Sequence, residues 1–359
     1  MTLMTLMLAS SQYTSRILRN FMRDRETQIV LGIFAGIFTY CLIILRTIRD
    51  GDEGGFVPSL AVSFSVVLAI GGIGVLIFFI HHIASSIQAS NIVASVAGET
   101  MAAVNRLFPE RLGDEPVDDE EDQSEHPQPQ RHWQAVPATG NGYIQLVDDA
   151  ALLRVAREHK TVVRMERGVG EFVVHGTTLA SFALETPPEA DVIAGLQGAY
   201  TLNRFRTVDQ DAAFGIRQIV DMALRALSPG INDATTTVLC VDYLTVILAR
   251  VTSRSVPSSR RFEDGELRVI AIGPTFASLV AESFDQIRGN ASGNVAILLR
   301  ILNALEAIAS LTDSPGLRRV LHEQLQWIAE LADRTVHSPH DRIRCESRLA
   351  RVRHALEAP

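Results

Sequence analysis

Between Asn203 and Asp242 the polar side chains stand at spacings that could do chemistry. The run Asn203-Arg204-Phe205-Arg206-Thr207-Val208-Asp209-Gln210-Asp211 is followed by Arg217 and Asp221, then by Ser228-Pro229-Gly230-Ile231-Asn232-Asp233 between two apolar stretches. Asn232 or Asp233 is suited to cap a helix entering at Ala234, its side-chain oxygen accepting from free backbone N–H groups, and Pro229-Gly230 supplies the bend. Two readings stand. In one, the stretch is a tight helix–helix corner whose charges pair within the bundle, Arg217 with Asp221 one turn on. In the other, Arg204, Arg206, Asp209, Ser228, Asn232 and Asp233 form a ligand site. A helix N-terminus with Ser228 and Thr235 to Thr237 nearby favours an anion, and the two arginines add charge. An aspartate at the cap opposes that anion.

Other candidate chemistry is thinner. His337-Ser338-Pro339-His340-Asp341 offers metal-ligand types, but its histidines are split by a proline turn. His81 and His82 close an apolar run and, being adjacent, point in different directions on a helix. Cys41, Cys240 and Cys345 are isolated, so there is neither a disulfide framework nor a CxxC motif. Gly170 to Leu179 has the pattern of half a biotinyl or lipoyl carrier barrel, but no lysine stands where the group would attach, so it reads as a β-hairpin with turn glycines. No HExxH, GxSxG, P-loop or GxGxxG fingerprint occurs in a suitable context. No catalytic residue, metal site or cofactor is therefore assigned.

The elements that must position these residues begin in the membrane. Ile29 to Leu45 has no charge in 17 residues and Phe56 to Ile80 none in 25. At about 1.5 Å per residue these runs span roughly 25 and 37 Å, against a hydrocarbon core of roughly 30 Å. They read as a transmembrane helical hairpin. Four arginines (Arg16, Arg19, Arg23, Arg25) precede it and two (Arg46, Arg49) sit in the turn. The positive-inside rule then puts the N-terminal side and everything after Ile80 in the cytoplasm of a bacterial cell, at the inner membrane.

Along the chain, residues 1–28 read as the end of an upstream membrane helix (Met1 to Ser10) plus an amphipathic interfacial helix (Ser11 to Gln28). Residues 29–108 hold the two spans, the second running on as a helix to Leu107. Residues 109–142, with five prolines and eight acids clustered between Asp114 and Glu125, read as a disordered linker. Residues 143–188 form a small β-rich unit, with strands at Gly142 to Val147, Thr161 to Arg164 and Glu171 to His175 around a helix capped at Asp148 or Asp149. Residues 189–359 are mainly helical: Asp191 to Leu202, Asp211 to Leu227, Ala234 to Val251, Thr275 to Ile287, Val295 to Leu311, Leu317 to Leu331 and Asp341 to Leu356, with one strand at Leu267 to Ile272. The fold class is α+β, mainly α-helical.

Outside the acidic run, acids and bases are equal at 33 each, so nothing in the charge supports nucleic-acid binding. The partners left are the lipid bilayer, further copies of the chain, and a small-molecule or ion ligand of unspecified kind. Only one base is a lysine, Lys160, a bias that fits a GC-rich bacterial genome.

Several motifs, in order, resemble one family. Gln210-Asp211-Ala212-Ala213-Phe214-Gly215-Ile216 followed by Ala226-Leu227-Ser228-Pro229-Gly230-Ile231-Asn232-Asp233 is similar to the predicted bacterial membrane proteins catalogued as domain of unknown function 2254. So are Leu18-Arg19-Asn20-Phe21-Met22-Arg23-Asp24-Arg25, Phe56-Val57-Pro58 and Phe79-Ile80-His81-His82-Ile83. The resemblance implies a membrane-embedded N-terminal part and a soluble C-terminal part. It also implies a further pair of membrane helices upstream, within the second of which this chain would begin. It implies no activity. The resulting expectation is an integral membrane protein, either an oligomeric channel- or transporter-like protein with a cytoplasmic regulatory domain or a membrane-anchored sensor or scaffold.

Overall fold

A computed structural model describes residues 25–48, 58–86, 88–108, 132–184, 188–256 and 258–357. Its contacts divide the chain into two units, Met1–Ile92 and Val93–Pro359, taken here in turn. The expected segments at 1–24, the turn between the spans and the acidic run lie outside the described residues. Arg25 to Gln28, expected to end an interfacial helix, instead open the first described one.

In the first unit, α1 (Arg25–Thr47) and α2 (Ser59–Ser86) pack as an antiparallel hairpin. The Tyr40 hydroxyl donates to the Ala61 carbonyl at 3.3 Å, and its ring meets Phe64 edge-on. Gly72 lets the helices approach: a Cβ there would lie 3.3 Å from Ile37 Cδ1. At the end where α1 begins and α2 finishes, His82 Nδ1 lies 2.9 Å from Glu26 Oε2, and the imidazole stacks on Phe78 one turn earlier. Val30 and Ile44 are buried, but most apolar side chains of the hairpin face outward, Phe38 and Ile70 each 65% exposed. A surface of this kind has no stable place in water, and it matches the length and composition of membrane spans.

The second span does not run unbroken to Leu107. The helix stops at Ser86, and α3 (Ala89–Leu107) starts afresh with the Gln88 carbonyl accepting from the N–H groups of Asn91 and Ile92.

In the second unit, the described residues include eight strands, which form two sheets. β1 (Trp133–Pro137), β5 (Thr178–Ala183), β3 (Val163–Met165), β8 (Glu266–Ile270) and β7 (Arg260–Glu263) make a five-stranded sheet in the order β1-β5-β3-β8-β7, with β3 and β8 parallel. β4 (Phe172–Val173), β2 (Gly142–Val147) and β6 (Tyr200–Asn203) make a three-stranded antiparallel sheet. Strand β1 lies inside the stretch that composition assigns to a linker, and it is held there by pairing with β5, Trp133 opposite Ala183. Gly170 to Leu179 is not a hairpin. Gly176, at φ +84°, turns the chain out of one sheet and into the other, so β4 and β5 never pair. The helix expected over Asp191 to Leu202 ends at Gly198, because Tyr200 to Asn203 is taken up as an edge of the smaller sheet.

One apolar core joins both sheets to α4 (Asp149–Glu158) and α5 (Ala190–Gly198): Phe182, Val163 and Met165 from one sheet, Ile144 and Val173 from the other, and Leu152 and Leu196 from the helices. Each such side chain contributes about 1.5–3 kcal/mol by leaving water.

The helical layer consists of α6 (Ala212–Ala226), α7 (Ala234–Thr252), α8 (Phe276–Asn290), α9 (Val295–Ala309), α10 (Pro315–Thr335) and α11 (Pro339–Glu357). Its helices start where capping side chains stand: Asp211, Asp233, Asn294 and Ser314 each accept from a backbone N–H, and Thr275 with Ser278 forms a capping box. Helix α7 is long and apolar enough to rank with α1 and α2 as a span by composition. It packs on α6, α8 and α9, enclosing Cys240, Leu244, Ile247 and Leu248, and its Asp242 pairs with Arg300 of α9. Helices α8 to α11 begin and end within about one turn of the bounds expected from the spacing of their apolar residues.

Candidate functional site

Helix α6 separates the two halves of the polar motif. Arg206 and Asp211 stand at its N-terminus and Ser228 to Asp233 beyond its C-terminus; 15 residues at about 1.5 Å each put roughly 22 Å between them.

At the far end, Ser228 to Asp233 behaves as a corner. The Ser228 hydroxyl donates to the Arg225 carbonyl at 2.7 Å, and the Ser228 carbonyl accepts from the N–H groups of Ile231 and Asn232. Asn232 takes φ +50°, a left-handed conformation that asparagine tolerates better than most residues. Its own N–H thus closes the turn, and the cap falls to Asp233, whose carboxylate accepts from the Thr236 N–H at 3.0 Å and from the Thr236 hydroxyl. That hydroxyl bond first, then the N–H bonds of Thr236, hold the Asp233 carboxyl below the usual range. Replacing Asp233 with Ala should cost about 0.5–2 kcal/mol at neutral pH. Because its folded pKa is depressed, this contribution is present above the ordinary carboxylate pKa and fades as pH falls through the folded value. Thermal melts of wild type and variant should therefore converge in acid.

The near end is a strap, residues 204–210, running from β6 to the cap of α6. Arg204 is exposed, its N–H bonded to Asn203 Oδ1 at 2.7 Å. The Phe205 carbonyl accepts from Gln145 Nε2 on β2, and Gln210 Oε1 accepts from the Val147 N–H at 3.0 Å. The Asp209 carboxylate is exposed, while its carbonyl accepts from Arg106 Nη2 of α3. Arg206 turns inward: its Nε and Nη2 lie 2.8 and 2.7 Å from Asp211 Oδ2, and its guanidinium covers the Phe214 ring at 4.9 Å. Asp211 Oδ1 in turn accepts from the Phe214 N–H at 2.9 Å. The pair is roofed by Gly170 at φ +88°, where a Cβ would run into Asp211 Oδ2 and lie 2.7 Å from Arg206 Nη2.

Asp211 and Glu282 define the electrostatics. Burial pushes the Asp211 carboxyl up although Arg206 pulls it down. Burial likewise raises Glu282, against the opposing pull of Arg217 and Arg206. Arg217 was expected to pair one turn along its own helix; it reaches across to α8, where its Nη2 donates to Glu282 Oε2 at 3.3 Å. Burial also lifts the Cys240 thiol to about 12, which removes it from nucleophilic chemistry at neutral pH. Among the described residues no group of three or more His, Cys, Asp or Glu side chains could hold a metal ion.

Of the six residues singled out in the sequence, the structure groups Arg204, Arg206 and Asp209 on the strap and Ser228, Asn232 and Asp233 at the corner. Asp211, Gln145, Gly170 and Arg106 complete the strap. Asp211 carried a signal as a capping residue ahead of Ala212-Ala213-Phe214; the other three are distant in sequence and carried none.

A helical hairpin of membrane-span length followed by an α+β domain, mainly helical, defines a membrane protein. The chain belongs to the family described as predicted membrane proteins (DUF2254), which matches residues 1–307. It is similar to the uncharacterized proteins Rv1290c of Mycobacterium tuberculosis and Mb1321c of Mycobacterium bovis, each 33% identical over 367 residues, an alignment that covers all of this chain and 69% of the relative. No solved structure matches it.

Proposed function

We propose that the protein is a self-associating membrane protein of the channel or transporter class, in which the soluble domain regulates the membrane hairpin through α3. The observation that carries this reading is the grip of the second unit on α3. Thr100, fully buried, packs against Gly215 of α6 so closely that no Cβ fits between them. Arg250 Nε and Arg254 Nη2 both donate to Asn105 Oδ1, at 2.7 and 2.9 Å, and Arg254 Nη1 donates to the Phe108 carbonyl at 3.2 Å. A passive tether needs none of these contacts. A helix that follows a membrane span after two residues and is held this way can pass a movement of the domain to the span.

Self-association is supported by two pairs of glycines, Gly32 with Gly36 on α1 and Gly71 with Gly74 on α2. None has a neighbour within 4 Å of a Cβ built there, and small residues are what membrane helices use for close packing. Neither apolar run contains Asp, Glu, Lys, Arg or His, so one hairpin alone makes a poor ion path and several copies must contribute. The arginine count favours a bacterial inner-membrane, multi-pass orientation with the soluble domain in the cytoplasm.

The same absence of Asp, Glu, Lys, Arg and His favours a second reading, a membrane-anchored sensor or scaffold. Light scattering of the detergent-solubilised protein, with ion-flux recording after reconstitution, separates the two. A defined oligomer that passes ions is the expected result; a particle that passes none overturns it and leaves the sensor.

A further inference from the structure

The five-stranded sheet ends differently on its two sides. At β1 the edge is guarded, since Pro137 has no N–H and its carbonyl accepts from Gln197 Nε2 of α5 at 2.8 Å. At the other side lies β7, Arg260-Arg261-Phe262-Glu263, whose strand partner is β8. Asp264 and Gly265, at φ +53° and +78°, form a two-residue hairpin loop between Glu263 and Glu266, so Glu263 turns its backbone groups to β8. Ser259 does the same, its carbonyl accepting from the Ala271 N–H at 2.6 Å. The irregularity in this ladder is an extra residue on β8, Arg268, and leaves the alternation along β7 intact. Ser259, Arg261 and Glu263 therefore face β8, while Arg260 and Phe262 direct their N–H and C=O to the edge. The Phe262 side chain is 61% exposed.

We propose that β7 pairs antiparallel with β7 of a second copy about a twofold axis at Phe262. The chain selects this register. Only edge-facing residues can form the hydrogen-bonded pairs, which leaves symmetric registers centred at Arg260, Arg261 or Phe262. The first two need the Arg260 N–H, which already donates to Ser258 Oγ at 3.1 Å, and each sets arginine opposite arginine at its centre. The third pairs Phe262 with Phe262 and sets Arg261 of each copy opposite Glu263 of the other. Charges on an edge strand commonly repel a second strand. Here, in the one register the backbone permits, they attract it. Arg157 of α4 already holds Glu263 at 3.2 Å on the same side of the sheet, so the second copy's Arg261 would complete a carboxylate between two guanidinium groups. A ladder this short is weak alone and gains from the local concentration that joined membrane hairpins supply. The pairing rests on the reading that the protein self-associates.

The experiment uses the full chain in detergent with Cys41→Ser, which leaves only the buried Cys240 and Cys345. Phe262→Cys and Arg260→Cys are then oxidised side by side. A hydrogen-bonded pair holds its Cα atoms about 5.5 Å apart, within disulfide reach, whereas the two positions 260 would lie about 14 Å apart. Position 262 should therefore link two chains and position 260 should not. With Phe262→Cys present, Arg261→Glu should slow linking about tenfold, and Glu263→Arg likewise. Mixing these two variants should restore it, because only the mixed pair has opposite charges at both positions, and recovery also shows that each variant is folded. The proposal is overturned if position 262 does not link, if position 260 links as readily, if the charge variants link at the unaltered rate, or if mixing gives no recovery. Light scattering keeps the two readings apart. An oligomer that does not link at 262 loses the edge pairing and keeps self-association through the hairpin, whereas a particle of one chain loses both.

Discussion

Replacing Arg206 with Met is expected to destabilise the second unit by about 3–5 kcal/mol, because it leaves a buried carboxylate without its counter-charge. The Asp211 side chain is 5% exposed and that of Arg206 24%, with two nitrogens of the guanidinium within 2.8 Å of one carboxylate oxygen. Methionine retains most of the stem that lies over Phe214, so the loss is electrostatic rather than one of packing. Adding Asp211→Asn should restore much of it, since asparagine also caps a helix and carries no charge to strand. The double variant should thus be more stable than Arg206→Met alone, a coupling that independent sites do not show. The pH dependence has a definite sign. The folded carboxyl of Asp211 already sits above its ordinary value through burial, and removing Arg206 raises it further. A group with a raised acid pKa binds its proton more tightly folded than unfolded, so its penalty is fully present above the folded value. The penalty shrinks as pH falls toward the ordinary value of about 3.9. Denaturant melts of wild type and Arg206→Met between neutral pH and pH 4 should show the gap narrowing. A gap that widens in acid would mean that Asp211 is not the group left unpaired.

What was legible in the sequence follows the range of the interactions that carry it. The two spans are visible because a bilayer imposes a length, and Ile29 to Leu45 and Phe56 to Ile80 satisfy it residue by residue. A cap at Asn232 or Asp233 is visible because both stand just before the helix at Ala234, and Asp233 takes the role by bonding Thr236, three residues on. Strand β1 was hidden because Trp133 to Pro137 follows a proline-rich acidic run and becomes a strand only through β5, more than forty residues on. Residues 200–203 read as the end of a helix until Tyr143 to Val147 offers them a ladder. The strap fell in between. Its charges drew attention as a ligand site, yet Arg206 is consumed by Asp211 and the Asp209 backbone by Arg106, partners that sequence spacing does not reveal. Treating both ends of α6 as one site failed for a simpler reason, the length of the helix between them.

Gly215 is the position where a single added side chain should do most to the grip on α3. It lies in the first turn of α6, and a Cβ built on it would overlap Thr100 Oγ1 and come within 2.8 Å of both Thr100 Cβ and Cγ2. Thr100 cannot swing aside cheaply, because it is fully buried and its hydroxyl donates to the Val96 carbonyl at 2.7 Å. Gly215→Val should therefore cost about 1–3 kcal/mol through overpacking, while the better helix propensity of valine over glycine returns only a few tenths. The relief is graded. Thr100→Ala removes Oγ1 and Cγ2 but leaves its Cβ inside the 2.8 Å approach, so it should rescue Gly215→Val only in part. Thr100→Gly clears the contact and should rescue it more fully, although alone it costs about 1 kcal/mol as a glycine within a helix. Thermal melts in detergent of wild type, the three single variants and the two double variants supply the two cycles. If the domain instead accommodates valine by letting α3 lift away, the melting temperature should barely move while exchange over residues 93–108 rises steeply. That outcome would make Gly215 the point at which α6 and α3 can be uncoupled without unfolding either.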